Sequence, residues 1–148
     1  MDVDLLMAEA IAQARLARAM GEVPIGAVVA LDGEIIGRGF NHPIDAVDPT
    51  AHAEVVAMRN AAMRVGNYRL SGATLGVTIE PCLMCVGAIV HARIRTVVYG
   101  AAEPKSGAIV SAVRGGELPG LNHRFNVVPG IREEECRSLM VDFFKQRR

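Results

Sequence analysis

The sequence lacks the features that mark membrane, secreted or strongly polyionic proteins. Its 16 basic and 16 acidic side chains cancel, which gives no overall attraction to nucleic acid or to a membrane surface. No apolar run approaches the roughly 18 to 20 residues that span a bilayer, and the first ten residues, MDVDLLMAEA, carry acids where a secretion signal needs bases. We therefore expect no membrane association and a cytoplasmic location.

Aromatic residues and cysteines are also scarce. With no tryptophan, two tyrosines and four phenylalanines, the chain offers little surface for stacking on bases, and Phe143 and Phe144 are the best candidates, although at least one of them should be core. Three cysteines do not suit the paired disulfides of a secreted domain. Two of them, Cys82 and Cys85, are three residues apart, which favours reduced thiols on a metal.

The composition is that of a globular protein, with 51% hydrophobic and 22% charged residues. The length suits one domain, which we assign to residues 1–148. Apolar periodicity and turn residues predict five strands and several helices. In chain order these are a helix capped by Asp4 and ended by Gly21, a hairpin at Asp32-Gly33, a helix from about His52 to Gly66, the strand ATLGVTI, a helix opened by Pro81, the strand RTVVYG, the short strand FNVVPG and the final helix IREEECRSLMVDFFKQRR.

This order predicts an α/β domain with three layers, in which helices cover both faces of a five-stranded mixed sheet. The strand-helix-strand unit around Pro81 should pair its strands in parallel with a right-handed crossover. The segment from about 101 to 124 is predicted to be a long functional loop with one or two helical turns at most. Apolar spacing in the first helix marks one face for burial, formed by Leu5, Ala8, Ile11, Ala12, Leu16 and Ala19.

Two short motifs carry the chemistry. His52 and Glu54 begin one helix in PTAHAEVV, and Cys82 and Cys85 begin another in EPCLMC. Because both helices should start at one edge of the sheet, their first turns can face each other. One imidazole and two thiolates suit Zn²⁺ and leave its fourth position open for water, whose proton the carboxylate of Glu54 can take. This combined pattern is typical of zinc nucleobase deaminases.

Other interpretations of the same residues remain open. His52 could be a core histidine bonded to a backbone carbonyl. Cys82 with Cys85 could form a redox pair, although that would leave both His52 and Glu54 without a role. A structural zinc site would need a fourth ligand from His42, His91, His123 or Cys136. Cys136, in the last helix, is instead predicted to be a packing residue.

Over nearly its whole length the chain resembles the bacterial tRNA-specific adenosine deaminases of the cytidine deaminase superfamily. The resemblance runs through GEVPIGAVV, DPTAHAE, NYRLSGATLGVTIEPCLMCVGAIVHARI, VVYGA, PGLNHR and DFFKQRR. It implies the cytidine deaminase-like fold, one Zn²⁺ per chain, a homodimer in which the partner completes each site, and conversion of adenosine to inosine at the wobble position of an arginine tRNA anticodon.

Residue by residue, the resemblance implies that His52, Cys82 and Cys85 hold zinc and that Glu54 moves protons to N1 and to the departing ammonia. It also implies substrate contacts, made by Asn41, Asn122, Lys145, Arg147 and Arg148. The chain departs from some relatives at Glu103, where they carry aspartate, and at the bulky pair Ile109-Val110 before Ser111, so the substrate range is open. The runner-up is a deaminase of a free base such as guanine or cytosine, and a catalytically silent zinc module is a third possibility.

Because the net charge is zero, affinity for tRNA would depend on a local basic patch. The candidates for such a patch are Arg59, Arg64, Arg69, Arg93, Arg95 and the C-terminal bases. Their positions in the sequence do not show whether they cluster.

Overall fold

The fold is a three-layer α/β/α domain, seen in a computed structural model that describes residues 1–147 and leaves Arg148 outside the described residues. The helices and strands have the following bounds: α1 Val3–Ala19, β1 Gly26–Leu31, β2 Glu34–Phe40, α2 Pro43–Ala46, α3 Ala53–Val65, β3 Thr74–Ile79, α4 Leu83–Ala92, β4 Thr96–Ala101, a 3₁₀ turn Gly115–Glu117, β5 Asn126–Val128 and α5 Glu133–Gln146. Within residues 1–147, no helix combines the length and the apolar character needed to cross a membrane.

The sheet has the strand order β2-β1-β3-β4-β5, and the predicted mixed sheet is confirmed. Strand β1 pairs antiparallel with β2 and β3, whereas β3, β4 and β5 pair in parallel. The carboxyl ends of β2, β3 and β4 therefore lie at the same edge as the amino end of β1. This edge, called the site edge below, is where the chain leaves three strands and where ligands bind in open α/β sheets.

Two apolar cores fill the space between the layers, one on each face of the sheet. On one face, α3 and α4 pack against aliphatic side chains of the strands, largely through small residues. On the other face, α1 and α5 pack against the sheet in the same way. Cys136 lies in the second core with no exposed surface, which confirms its prediction as a packing residue. Phe143 is buried and Phe144 is exposed, which confirms that one of the two phenylalanines is core.

The predicted buried face of α1 is wrong except at Ile11. Leu5 and Leu16 are 59% and 49% exposed, and Ala12 and Ala19 are exposed as well. The buried residues of the helix are Leu6, Met7, Ala10, Ile11, Ala14 and Ala17. The reason is close approach: a Cβ on Gly26 of β1 would lie 2.0 Å from the carbonyl oxygen of Ala10. Only a face with alanine at its centre can come so near to the sheet, and the spacing of large apolar residues does not show this.

Some element boundaries also differ from the sequence prediction. The N-cap of α1 is Asp2, whose side chain accepts a hydrogen bond from the Asp4 amide at 2.9 Å, so Asp4 lies inside the helix. Helix α4 begins at Leu83 with Cys82 as its N-cap, two residues after Pro81. The short helix α2 is not among the helices predicted from the sequence.

Candidate metal centre and active site

The first turns of α3 and α4 meet at the site edge and bring three predicted metal ligands together. His52 is the N-cap of α3, Cys82 is the N-cap of α4, and Cys85 lies in the first turn of α4. His52 Nδ1 is 3.5 Å from the sulfur of Cys82 and 3.6 Å from that of Cys85. All three ligand atoms lie within 4.8 Å of one another. The ring nitrogen of His52 thus faces the two sulfurs, and not a backbone carbonyl.

These distances fit zinc. Bonds of about 2.3 Å to sulfur and about 2.0 Å to nitrogen at tetrahedral angles put a nitrogen and a sulfur roughly 3.5 Å apart. Within residues 1–147, the cluster contains no fourth His, Cys, Asp or Glu ligand. His123 bonds instead to the carbonyl of Ile94, at 2.6 Å. Three ligands with a free fourth position are the set expected of a catalytic zinc site.

The two cysteines share one proton, which a metal bound to both sulfurs would displace. The thiol of Cys85 and the imidazole of His52 hydrogen-bond the sulfur of Cys82, which lowers the pKa of Cys82 to about 4 despite partial burial. The pKa of Cys85 is raised, first because its proton is shared with Cys82 and second because it is buried. Hydrogen bonding to Cys82 also raises the pKa of His52. A dication on both sulfurs would replace the shared proton.

Glu54 lies beside this cluster in the first turn of α3 and is only 4% exposed. Burial raises the pKa of Glu54 from 4.5 to about 7, and the charge of Cys82 adds to this, while a hydrogen bond to its own backbone amide and the charge of His52 oppose it. A carboxyl group with a pKa near 7 can both accept and release a proton under physiological conditions. Position and pKa therefore suit a proton shuttle.

The cluster opens into a cavity of about 300 Å³ at the site edge. Segments that precede β1 and follow β2, β3 and β4 line it, through Val23, Ile25, Asn41, Pro43, His52, Glu54, Ile79, Glu80, Cys82, Glu103 and Ser106. The volume is at the lower end of the range for small-molecule sites. The arrangement can admit one ring next to the metal ligands and Glu54.

The remaining predicted site residues lie at different distances from this cavity. Asn41 is 6% exposed, lines the cavity and donates to the Val23 carbonyl at 3.4 Å. Asn122 is exposed, does not line the cavity of its own chain and accepts a hydrogen bond from Arg93 at 2.7 Å. Its contact with substrate stays a prediction.

At the end of α5, Lys145 is exposed, while Arg147 donates to the carbonyl of Gly21 and lies over the ring of Phe143, 4.6 Å from its centroid. Gly21 is two residues from Val23, so the end of α5 lies near the cavity wall. Arg148 lies outside the described residues.

Two buried carboxylates that sequence reasoning missed tie down the cavity walls. Glu22 is 2% exposed and accepts hydrogen bonds from the amides of Ile44 and Asp45 at 3.4 and 2.7 Å, next to Pro43 in one wall. Glu80 is 3% exposed and holds the loop after β4 in the opposite wall. The only available signal was position, because Glu22 lies four residues before β1 and Glu80 lies two residues before the ligand Cys82.

Four arginines form a cluster at the opposite edge of the sheet, where β3, β4 and β5 begin. The members of this arginine cluster are Arg69, Arg93, Arg95 and Arg124, and they line a cavity of about 360 Å³ together with Ser71, Gly72, His123 and Asn126. In the described part of the chain, no acidic side chain lines this cavity or forms a salt bridge with these four arginines. Arg64, another candidate, instead pairs with Glu34 at 2.5 Å.

Comparison with known proteins connects this site to a family. Residues 2–101 match the cytidine and deoxycytidylate deaminase zinc-binding region. The tRNA-specific adenosine deaminase of Haemophilus influenzae is 46% identical over 97% of this chain and 83% of its own length. The tRNA-specific adenosine deaminase of Bacillus subtilis is 43% identical over 98% of this chain and 90% of its own length.

Solved structures agree with these similarities. A structure from work on A-to-I editing by tRNA:A34 deaminases at the wobble position of transfer RNA is 45% identical, with a TM-score of 0.89 over 91% of this chain and 98% of that chain. The structure of a guanine deaminase from Bacillus subtilis is 40% identical, with a TM-score of 0.66 over 69% of this chain and 66% of that chain. Since the matched segment contains both ligand motifs and the similarity to the adenosine deaminases extends to the last helix, the chain belongs to the cytidine and deoxycytidylate deaminase family, in its tRNA-specific adenosine deaminase group.

Proposed function

We propose that this protein is a zinc-dependent hydrolase that converts adenosine to inosine at the wobble position of a tRNA anticodon. The observation that carries the proposal is the triangle of His52, Cys82 and Cys85 beside the buried carboxyl group of Glu54. The three ligands would hold one zinc ion per chain. The relatives that match almost the whole chain are named for the same substrate.

When bound, zinc supplies the Lewis acidity that makes water a nucleophile near neutral pH. Glu54 takes one proton from the attacking water and delivers it to N1 of adenine. It then transfers the second proton to the amino group that leaves C6, so adenosine and water become inosine and ammonia. A pKa of about 7 lets Glu54 change protonation state at each step. Asn41, buried in the cavity wall, is the proposed hydrogen-bonding partner of the base.

The arginine cluster favours an RNA substrate over a free base. It lies at the far end of strands that are six residues long, a separation of about 20 Å from the cavity at 3.3 Å per residue. A free base would occupy the cavity only, whereas a polyanion can contact both edges. Guanidinium groups without acidic neighbours bind phosphate well. In this proposal Asn122, Lys145, Arg147 and Arg148 make further contacts with the anticodon arm.

Arg95→Gln tests this role. It should weaken binding of an anticodon stem-loop and reduce the slope of log affinity against log salt by about 1, as expected for one lost phosphate contact. The matched control is Arg137→Gln, because Arg137 pairs with Glu133 at 3.0 Å on α5. Equal binding by the Arg95 variant and the wild type would remove the cluster from the RNA-binding surface.

We also propose a homodimer. Exposed apolar side chains occur at the start of α4 and in the long loop after β4, among them Leu83, Met84, Val110, Val113 and Leu118. Light scattering of the zinc-loaded protein should give the mass of two chains. Val113→Asp should shift the mass towards one chain, whereas Val141→Asp, at a 46% exposed position on α5, should not.

A tRNA substrate would make the protein cytoplasmic, which cell fractionation would test.

The activity itself is tested by incubating zinc-loaded protein with an arginine anticodon stem-loop and sequencing the RNA for inosine. Absence of conversion would contradict the proposal. The alternative is deamination of a free base or nucleoside such as guanine or cytosine, and the 40% identity with a guanine deaminase favours including it. Ammonia release from free bases, without any from RNA, would support that alternative.

A further inference from the structure

The buried carboxylate of Glu80 collects five hydrogen bonds from one segment. Its Oε2 accepts from the backbone amides of Ile109, Val110 and Ser111 at 3.0, 2.9 and 3.0 Å. Its Oε1 accepts from the backbone amide of Glu103 at 3.2 Å and from the hydroxyl group of Ser111. A carboxylate accepts with both oxygens and donates with neither, so the number and type of these bonds suit glutamate and no neutral side chain.

The chain around Glu80 packs directly on the same segment, residues 103–111, called the wall loop below. The carbonyl of Pro81 accepts from the Ala108 amide at 2.7 Å. A Cβ on Gly107 would lie 2.4 Å from the carboxyl carbon of Glu80, so the absence of a side chain there lets the loop approach. The wall loop is thus held to residues 80 and 81, which lead directly into the metal ligand Cys82.

The wall loop supplies the side chains of Glu103 and Ser106 to the cavity. Glu103 is held at its amide by Oε1 of Glu80, while the far end of the loop is held by Oε2. One side chain therefore fixes both ends of a wall that has no regular secondary structure of its own.

We propose that Glu80 is a positioning residue for substrate binding, which holds the wall loop at a fixed distance from the metal ligands. The inference rests on the proposed deaminase function and deepens it, because the wall so held faces the substrate. Loss of the anchor should impair binding of the substrate more than the chemical step. In the described part of the chain, the side chains of the three metal ligands and Glu54 bond to one another or to the Glu54 amide, and none of them bonds to the wall loop.

Glu80→Gln separates the two ends of the anchor. The side-chain oxygen of the glutamine can still accept hydrogen bonds from the backbone amides of residues 109–111. Its NH₂ group then lies next to the backbone amide of Glu103 and the hydroxyl group of Ser111. The NH₂ group and the Glu103 amide are both donors and cannot bond, whereas the Ser111 hydroxyl can rotate and accept a hydrogen bond from the NH₂ group. The variant should therefore release Glu103 and retain the bonds at residues 109–111.

The experiment uses zinc-loaded wild type and Glu80→Gln with an anticodon stem-loop, and measures kcat, KM, zinc content and amide hydrogen exchange. KM should rise about tenfold and kcat fall less than about threefold, with zinc near one per chain. Exchange at the Glu103 amide should rise about tenfold or more, the effect of one lost bond to a charged acceptor, with little change at residues 109–111. The control is Thr78→Val on β3, which loses the hydroxyl group that accepts a buried hydrogen bond from the Gly26 amide of β1, and which should leave KM and loop exchange unchanged.

Gly107→Ala disturbs the same contact from the opposite side and carries the test if Glu80→Gln does not fold. Its added Cβ should push the wall loop from the carboxylate and raise KM similarly, and the two changes together should be less than additive. Zinc loss, a fall in kcat with unchanged KM, or unchanged exchange at Glu103 in folded Glu80→Gln would overturn the proposal. If the wild type converts no adenosine in RNA, the proposed function fails, and the exchange data still decide whether Glu80 anchors the loop.

Discussion

Replacement of Glu54 by glutamine should affect activity and stability in opposite directions. Glutamine keeps the shape of the protonated carboxyl group but cannot transfer a proton, so kcat should fall at least about 100-fold, the low end for a positioned general acid or base. Zinc should remain near one per chain, because Glu54 is not among the three clustered ligands.

The effect on stability follows from burial. The pKa of Glu54 is about 7 in the folded protein and 4.5 as a free group, so the folded state holds a proton that the unfolded state releases between these values. Stability of the metal-free wild type should therefore fall as pH rises from about 4.5 to about 7. Glutamine carries no such charge, and at pH 8 the variant should be more stable by about 3 kcal/mol. Below pH 4.5 the difference should vanish.

Urea unfolding of both proteins without metal, at pH values from 4 to 8, measures this difference. The matched control is Glu117→Gln, because Glu117 is exposed and its one salt bridge within residues 1–147 is to Arg114 at 3.5 Å. Such an exposed pair is expected to contribute less than about 1 kcal/mol at any pH. A constant difference between wild type and Glu54→Gln across this range would refute the reasoning. Retention of near wild-type turnover by zinc-loaded Glu54→Gln would remove Glu54 from the mechanism.

Three further substitutions test the ligands, the packing and the cavity. Cys82→Ala should lose zinc by elemental analysis and unfold at lower temperature, whereas Cys136→Ala should keep one zinc per chain, and full zinc in Cys82→Ala would contradict the ligand set. Gly39→Ala should lower the free energy of unfolding in urea by about 1 to 3 kcal/mol, because its Cβ would lie 2.5 Å from the backbone of α3. The added Cβ of Gly87→Ala would have no atom within 4 Å, so this control should raise the free energy of unfolding by up to about 1 kcal/mol. Equal effects of the two substitutions would contradict this packing. Asn41→Ala should raise KM about tenfold with zinc retained, and an unchanged KM would exclude contact with the base.

Features with a local cause were predictable from the sequence. Asp32 and Gly33 have φ of +52° and +77°, as a tight hairpin turn requires, and Gly66 ends α3 at φ +73°. The cluster of His52, Cys82 and Cys85 belongs here too, because each ligand lies at the N-cap or in the first turn of a helix that follows a recognisable strand or turn. Helix starts at one sheet edge bring such residues together whatever the details of the core.

Features set by contacts distant in the sequence were not predictable. The buried face of α1 depends on how closely the helix approaches Gly26. Because the helix is rich in alanine, its sequence contains two apolar faces, and the spacing of apolar residues does not show which of them is buried. The wall loop shows no apolar period or capping pattern, and its shape depends on Glu80, which lies 23 to 31 residues earlier in the chain. A single acidic residue before a proline gives no sign of how many amides it will bind.

The arginine cluster shows why net charge was a poor guide to the substrate. The sequence has equal numbers of acids and bases, but among the described residues seven acids pair with arginines outside the cluster, as Glu135 does with Arg15 at 3.2 Å and Asp4 with Arg132 at 2.9 Å. None of these acids lines the cavity of the arginine cluster, so positive charge dominates locally where β3, β4 and β5 begin. Because screening limits surface fields to about 10 Å at moderate salt, a polyanion responds to this local field and not to the balance of the whole chain. A neutral protein can therefore bind RNA, provided that its acids are neutralised away from the binding surface.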